Sequence, residues 1–202
     1  MKYIILCGSN HALINGVPRQ LVTIKGERIL DRTIRLLREN GVMDISITAT
    51  DPAFTGVNAD IIQYDSGGHW VNAFPLIDEP ACFIFGDVFF SPAAIKIIVN
   101  TQTDDVEFFG STPPFAPNYP KHWAEPFAFK VVNIQHFRDS IKEIIRLKTG
   151  GVFSRDPISW ELWQVIKGTP LNKIIYNNYT AINDYTCDID EANDVTNMER
   201  ML

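Results

Sequence analysis

Lys2-Tyr3-Ile4-Ile5-Leu6-Cys7-Gly8 is the stretch on which the reading of this chain turns. A short apolar run that ends in glycine suits a strand buried on both faces of a parallel sheet and running into a tight turn. It is too short for the apolar region of a secretory signal. Working outward, Glu27 to Asn40 sets Leu30, Ile34 and Leu37 on one helical face, with Gly41 as a stop. Ile45, Ile47 and Ala49 then alternate with polar residues, as a strand would. A second apolar run, Ala81-Cys82-Phe83-Ile84-Phe85, ends in Gly86-Asp87, and Ser91-Pro92 opens the next helix with a cap and an N-terminal proline. Val106 to Phe109 and Phe127 to Val132 read as further strands. Gln135 to Lys148 is amphipathic through Phe137, Ile141 and Ile145, and it stops at Gly150-Gly151. Strands alternating with helices predict an α/β fold, three layers α/β/α, around a mostly parallel mixed sheet.

The chain has 202 residues, which suits one domain spanning 1–202. A hydrophobic content of 46% supports a sizeable core. The net charge of -6 argues against a nucleic-acid binder, which needs a basic footprint, but leaves room for a local basic site. No apolar run approaches the ~20 residues of a membrane span, so no membrane partner is expected. Cys7, Cys82 and Cys187 match neither a zinc spacing nor a disulfide framework and read as buried thiols, which points to the cytoplasm.

Three long connections remain: Gly8 to Gln20, Thr50 to about Phe74, and the proline-rich Ser111 to Pro126. Long loops in compact domains are commonly functional. In open α/β sheets, ligands bind outside the carboxyl ends of the strands, and two of these loops leave from such ends.

The first loop reads Gly8-Ser9-Asn10-His11-Ala12-Leu13-Ile14-Asn15-Gly16-Val17-Pro18-Arg19-Gln20-Leu21. It resembles the opening of the nucleotidyltransferase superfamily, including the methylerythritol-phosphate cytidylyltransferases: a strand, then G-x-G-x-R, then P-K-Q. Gly8 falls on the first glycine and Pro18-Arg19-Gln20 on P-K-Q. Leu21 to Leu30 resembles the family's entry to its first helix. Phe85-Gly86-Asp87 resembles its "GD" at a strand end, and Asp188 to Val195 its "DIDTPEDL" ending. The chain departs where Asn10 replaces the second glycine, Ala12 the phosphate-clamping arginine, and Arg19 the lysine. So the loop has lost one cation and kept one.

The resemblance implies a nucleotide-diphospho-sugar transferase-like fold and a Mg²⁺-dependent reaction. A nucleoside monophosphate would pass from an NTP to a small phosphorylated acceptor, with release of pyrophosphate. Phosphoryl transfer of this kind depends on positioning and electrostatics. The nucleotide would lie on Leu6, Gly8, Ser9 and Asn10, with Arg19 as the phosphate-binding cation. Asp87, Asp190 and nearby Asp188 would hold the metal, since Mg²⁺ takes one or two carboxylates. The bland alternatives are a helix cap or turn for Asp87 and a cap of the last helix, Glu191 to Leu202, for Asp190. Asp194 is expected to favour that helix's dipole.

Asp65-Ser66-Gly67-Gly68-His69-Trp70-Val71-Asn72-Ala73-Phe74 resembles the base-recognition loop, with Gly67 and Gly68 giving backbone access and Trp70 or Asn72 reaching base or ribose. Trp70 reads equally well as a core aromatic. Glu125-Pro126 resembles the acceptor-side turn, and Lys130 reads either as an acceptor-phosphate ligand or as a solvated strand lysine. Trp160 and Trp163, three apart on a helix, read as packing residues. Other readings are a nucleotide-sugar-dependent glycosyltransferase of related fold, and a nucleotide-binding relative without activity. The base, the acceptor and a homodimeric state stay open.

Overall fold

The computed structural model describes residues 1–8, 13–112 and 123–202. Ser9, Asn10, His11, Ala12 and most of the proline-rich loop lie outside the described residues. Among these residues the central sheet has seven strands. In chain order they are β1 (Lys2–Leu6), β2 (Ile45–Thr48), β3 (Asp60–Ile62), β4 (Ala81–Phe85), β5 (Val106–Ser111), β6 (Glu125–Val131) and β7 (Thr180–Ala181). Across the sheet they lie β3-β2-β1-β4-β6-β5-β7. All pairings are parallel except those of β6, which runs against both β4 and β5. The mostly parallel mixed sheet read from the sequence is therefore present. Its one reversal, which the apolar pattern of Phe127 to Val132 does not reveal, turns the start of β6 toward the carboxyl ends of its neighbours.

Among the described residues five α-helices accompany it: α1 (Ile29–Glu39), α2 (Pro92–Asn100), α3 (Ile134–Thr149), α4 (Ser159–Ile166) and α5 (Ala192–Met201). Helix α1 packs beside α2, and α3 beside α4. One sheet face carries Phe83, Phe108 and Phe129. Phe108 stacks on Phe129 with centroids 4.5 Å apart, and Phe137 of α3 and Trp160 of α4 pack over them. Fully burying each such ring is worth about 2–3 kcal/mol, with about 1 kcal/mol more for a well-oriented aromatic pair. Trp160 and Trp163 are core residues, each 1% exposed, and all three cysteines are buried.

The opposite face meets α2. There Lys130, 4% exposed, donates from Nζ to the carbonyls of Val99 at 3.0 Å and Thr101 at 2.6 Å. These groups sit at the carboxyl end of α2, where free carbonyls and the helix dipole attract a cation. The phosphate role expected of Lys130 is thereby corrected. Its register partner on β4 is Cys82, near the start of that strand and away from the carboxyl edge.

A second, smaller core gathers Ile14, Val22, Ile24, Ile29, Phe89, Cys187, Ile189 and Met198. It lies between the first loop and the last helix. The first loop is no open coil: Leu13–Ile14 pairs with Val17–Pro18 in a hairpin. At its tip Asn15 and Gly16 have φ of 53° and 81°, as a type I′ turn requires, and Asn-Gly is its preferred pair. The 3₁₀ turn Arg19–Leu21 follows, with Gln20 and Leu21 buried, so the position of Arg19 is set from both sides. The last helix starts within a residue of its expected position, and Asp194 does more than favour a dipole. Its Oδ2 accepts from the backbone N–H of Asp190 at 2.9 Å and of Glu191 at 3.1 Å.

Strands β1 and β4 pair in parallel with Leu6 opposite Phe85, and the Gly86 N–H donates to the Leu6 carbonyl at 3.1 Å. A Cβ on Gly86 would lie 2.7 Å from Cys7 Sγ and 2.8 Å from the Leu6 carbonyl oxygen. Leu6 ends buried β1 and Cys7, also buried, directly follows it, so neither neighbour yields cheaply. Gly86→Ala is expected to lower stability by about 1–3 kcal/mol, read as a reduced urea midpoint with unchanged slope. A variant within 0.5 kcal/mol of the parent, to within roughly the error of such extrapolations, would show that the strands separate freely here.

Candidate active site

The carboxyl edge of β1 and β4 opens into a cleft of about 250 Å³ lined by Leu6, Gly8, Arg19, Ser66, Gly68, His69, Trp70, Ala73, Phe85 and Asp87. Its position follows from the pairing of two apolar strands. Because Leu6 faces Phe85, the turns that follow, at Gly8 and at Asp87, leave the sheet side by side. The Cys7 N–H donates to Thr48 Oγ1 at 3.0 Å, and Ser66 Oγ donates to the Gly8 carbonyl at 3.4 Å, which ties the glycine turn to β2 and to the loop that carries Ser66 and Gly68.

Asp190 reaches this edge from the far end of the chain. Val88–Phe89, directly after Asp87, forms a small antiparallel ribbon with Cys187–Asp188. The Ile189 N–H donates to the Asp87 carbonyl at 2.8 Å, and Ile189 is fully buried in the smaller core. Alternation along an extended segment then turns Asp188 and Asp190 to the other side. Asp188 is half-buried, with its N–H donating to Glu125 Oε2 at 3.3 Å.

Between the two carboxylates lies Arg19. Its Nη2 is 2.9 Å from Asp87 Oδ2 and its Nη1 2.5 Å from Asp190 Oδ1. Arg19 and Asp87 are about 20% exposed in their side chains, against 42% for Asp190. Charge-assisted bonds of this length from one guanidinium fork are the strong kind, and partial burial spares them much of the screening that weakens surface pairs. The helix-cap alternative does not describe Asp87, because Ser91 caps α2 by accepting the Ala94 N–H at 2.9 Å.

The structure thus brings together Leu6, Gly8, Gly68, Arg19, Asp87 and Asp190. Gly67 lies outside the cleft wall, its N–H bonded to Asp65 Oδ1 at 2.8 Å. Asn72 ends the 3₁₀ turn Trp70–Asn72 that follows the glycines. Its carbonyl accepts from the Tyr64 hydroxyl, and its exposed side chain is not among those lining the cleft. Trp70 does line it, and it also packs edge-on to Phe74 with centroids 5.4 Å apart, so the core and ligand-wall readings hold together.

Cys7 adjoins the site without serving it chemically. Burial pushes its thiol well above the ordinary range, and the Asp87 carboxylate adds to this, so the nucleophilic thiolate is suppressed. Among the described residues no group of three or more His, Cys, Asp or Glu side chains is arranged to hold a metal. Two carboxylates converging on one guanidinium nevertheless form an oxygen donor pair of the sort Mg²⁺ uses when phosphates and water complete its shell. The donor set fits that ion.

Sequence reading misses the far rim. His69 Nδ1 lies 3.1 Å from Asp156 Oδ2, and Lys148 Nζ pairs with the other oxygen of Asp156. This exposed cluster ties the glycine loop to the carboxyl end of α3. No local pattern marks it, since its members are held together only by the docking of separate segments.

No family model and no curated protein sequence matches the chain. The fold is that of the nucleotide-diphospho-sugar transferases. A Bacillus anthracis protein assigned as a glucose-1-phosphate thymidylyltransferase, in complex with sucrose, superposes with a TM-score of 0.59 at 14% identity, over 100% of this chain and 94% of that one. The inositol-1-phosphate CTP transferase of T. maritima gives 0.58 at 13%, over 99% and 95%. HddC of Yersinia pseudotuberculosis with GMP-PN gives 0.52 at 17%, over 99% and 98%. The fold expected from the ordered motifs is present, at identities that speak to fold alone.

The hydrogen bond from Lys148, foremost, and then that from His69 hold the Asp156 carboxyl below the usual carboxylate range. A depressed carboxylate stabilises the fold above its unfolded-state pKa, and that contribution disappears as pH falls through the folded value. Solvent screening keeps it below about 1 kcal/mol. Asp156→Asn is expected to cost no more than this at neutral pH and progressively less as pH falls through the lowered titration, as measured by urea unfolding at about pH 7 and about pH 2. An equal loss at both values would assign the effect to packing.

Proposed function

We propose that this chain is a Mg²⁺-dependent nucleotidyltransferase that moves a nucleoside monophosphate from an NTP to a small phosphorylated acceptor, a sugar phosphate or similar metabolite. The observation that supports it is the convergence of Arg19, Asp87 and Asp190 beside the Gly8 turn, at the carboxyl edge of the sheet. The activities assigned to two structural neighbours, a glucose-1-phosphate thymidylyltransferase and an inositol-1-phosphate CTP transferase, support the same class of reaction.

An oxygen of the acceptor phosphate attacks the α-phosphorus, the bond to the bridging oxygen breaks, and pyrophosphate leaves with that electron pair. The attacking phosphate is already anionic, so no side chain has to take a proton from it. What the chain must supply is alignment and positive potential. Arg19 meets the phosphates with two parallel donors. The Gly8 turn presents backbone without a side chain in the way. Leu6, Phe85 and Trp70 give an apolar wall suited to the flat face of a base, with Gly68 leaving its edge open. Asp87 and Asp190 would hold Mg²⁺, whose chemistry here is to neutralise phosphate charge and hold it in line. Asp188, opposite Val88 in the ribbon directly after Asp87, is the third candidate carboxylate for the ion. On this reading residues 1–202 form one catalytic domain working in the cytoplasm. Among the described residues no helix is long and apolar enough to cross a membrane.

Pyrophosphate release with each NTP over a panel of sugar and polyol phosphates tests the assignment, and no release with any pair would reject it. With an active pair in hand, Asp87→Asn and Asp190→Asn are expected to abolish turnover with the circular dichroism spectrum unchanged. Full activity of both at saturating Mg²⁺ would remove the metal role.

Arg19→Ala is expected to lower kcat/KM by roughly tenfold to a few hundredfold, since an arginine–phosphate bond contributes ~1.5–3 kcal/mol and ~1.4 kcal/mol is tenfold in rate. Arg19→Lys should recover part of the loss, keeping the charge without the fork. An alanine variant within about twofold of the parent would show that this arginine takes no part, a difference of only ~0.4 kcal/mol.

A further inference from the structure

Arg19 is assigned to phosphate, yet in the structure both of its terminal nitrogens are spent on the two carboxylates that would hold the cation. Its Nε is buried and makes no hydrogen bond to the described residues. The guanidinium therefore stands where the divalent ion would, and it cannot keep both bonds while reaching a triphosphate. Two carboxylates and one guanidinium carry a net charge near -1. Bare Mg²⁺ entering there must break two charge-assisted bonds and leave the displaced guanidinium within a few ångströms of a doubly charged ion. An incoming metal–nucleotide complex removes that penalty, because its phosphates receive the arginine as its metal takes the carboxylates.

We propose that Arg19 is a displaceable internal cation: it closes the Asp87–Asp190 pair in the free protein and moves to the phosphates on ligand entry. The substrate that binds is then the preformed metal–nucleotide complex, and free metal is excluded. This rests on the nucleotidyltransferase reading for its phosphate half only; the exclusion of free metal stands on the Arg19 contacts. The coupling is reciprocal, as any linkage between two ligands must be. The device also accounts for the stability of a site with two facing carboxylates in the absence of metal, since removing one member of a partly buried cluster leaves like charges uncompensated.

Mn²⁺ binding followed by electron paramagnetic resonance, without nucleotide, tests the first half. Arg19→Gln, neutral and similar in length, is expected to bind Mn²⁺ at least about tenfold more tightly than the parent, the equivalent of losing roughly one charge-assisted bond. Its melting temperature, lowered in EDTA, should rise with Mg²⁺ while that of the parent stays fixed. Arg19→Lys should bind Mn²⁺ as weakly as the parent, which separates charge from fold. Equal Mn²⁺ affinity in the parent and Arg19→Gln, with both folded by circular dichroism, overturns the proposal, as does a parent that binds Mn²⁺ alone as tightly as the glutamine variant. In the parent, adding at least one NTP of the panel tried for turnover should tighten Mn²⁺ binding beyond the affinity of the nucleotide itself. If no NTP does so but Arg19→Gln gains Mn²⁺, the internal cation stands and the nucleotidyltransferase reading falls.

Discussion

The parallel pairing of β1 with β4, with Leu6 opposite Phe85, is the constraint from which the rest of this site follows. Both strands are buried throughout their inner residues, so their register is held by packing on two faces and cannot slip without exposing apolar surface. Once it is set, Gly8 and Asp87 must leave the sheet together. The close approach at Gly86, where no Cβ fits between Cys7 and the Leu6 carbonyl, holds the two strand ends tightly side by side. A bulkier residue there would separate the glycine turn from the first carboxylate.

The second carboxylate is delivered by a different mechanism. Asp190 has no strand of the main sheet to hold it. The Val88–Phe89 and Cys187–Asp188 ribbon brings it in, and the smaller core beneath, with Phe89, Cys187, Ile189 and Met198, keeps that ribbon in place. The hairpin and the 3₁₀ turn that together carry Arg19 into position rest on the same core through Ile14 and Val22. Apolar burial thus fixes all three charged groups before electrostatics acts. The desolvation cost of bringing carboxylates together is offset by the guanidinium, whose planar fork can bond to both at once where a lysine ammonium would act as a point charge.

Legibility in the sequence varied with the origin of each feature. The apolar runs of β1 and β4 and the amphipathic faces of α1 and α3 are local patterns, and the structure has each element within a few residues of the expected bounds, although on α3 Ile144 and not Ile145 is buried with Phe137. Strand β3 lies inside what reads as an open loop, because Asp60–Ile62 is too short to show a period. The reversed direction of β6 is invisible too, since alternation and burial look the same in either direction. Lys130 shows the same limit. A lysine in an apolar strand can face a ligand, solvent or a helix end, and only the docking of α2 selected the carbonyls of Val99 and Thr101.

By itself the sequence determined the α/β class, the order of elements and the short motifs at strand ends, because these depend on backbone periodicity, turn chemistry and the solubility of each face. Through its resemblance to the nucleotidyltransferase superfamily it also marked Gly8, Arg19, Asp87 and Asp190 as candidates. Only the tertiary structure decided that the arginine lies between the two aspartates, that Gly68 and Trp70 share their cleft while Gly67 and Asn72 do not, and that His69 meets Asp156 and Lys148. These are relations between side chains far apart in the chain. Their distances are set by how sheet, ribbon and helices pack, and no local rule of spacing contains that information.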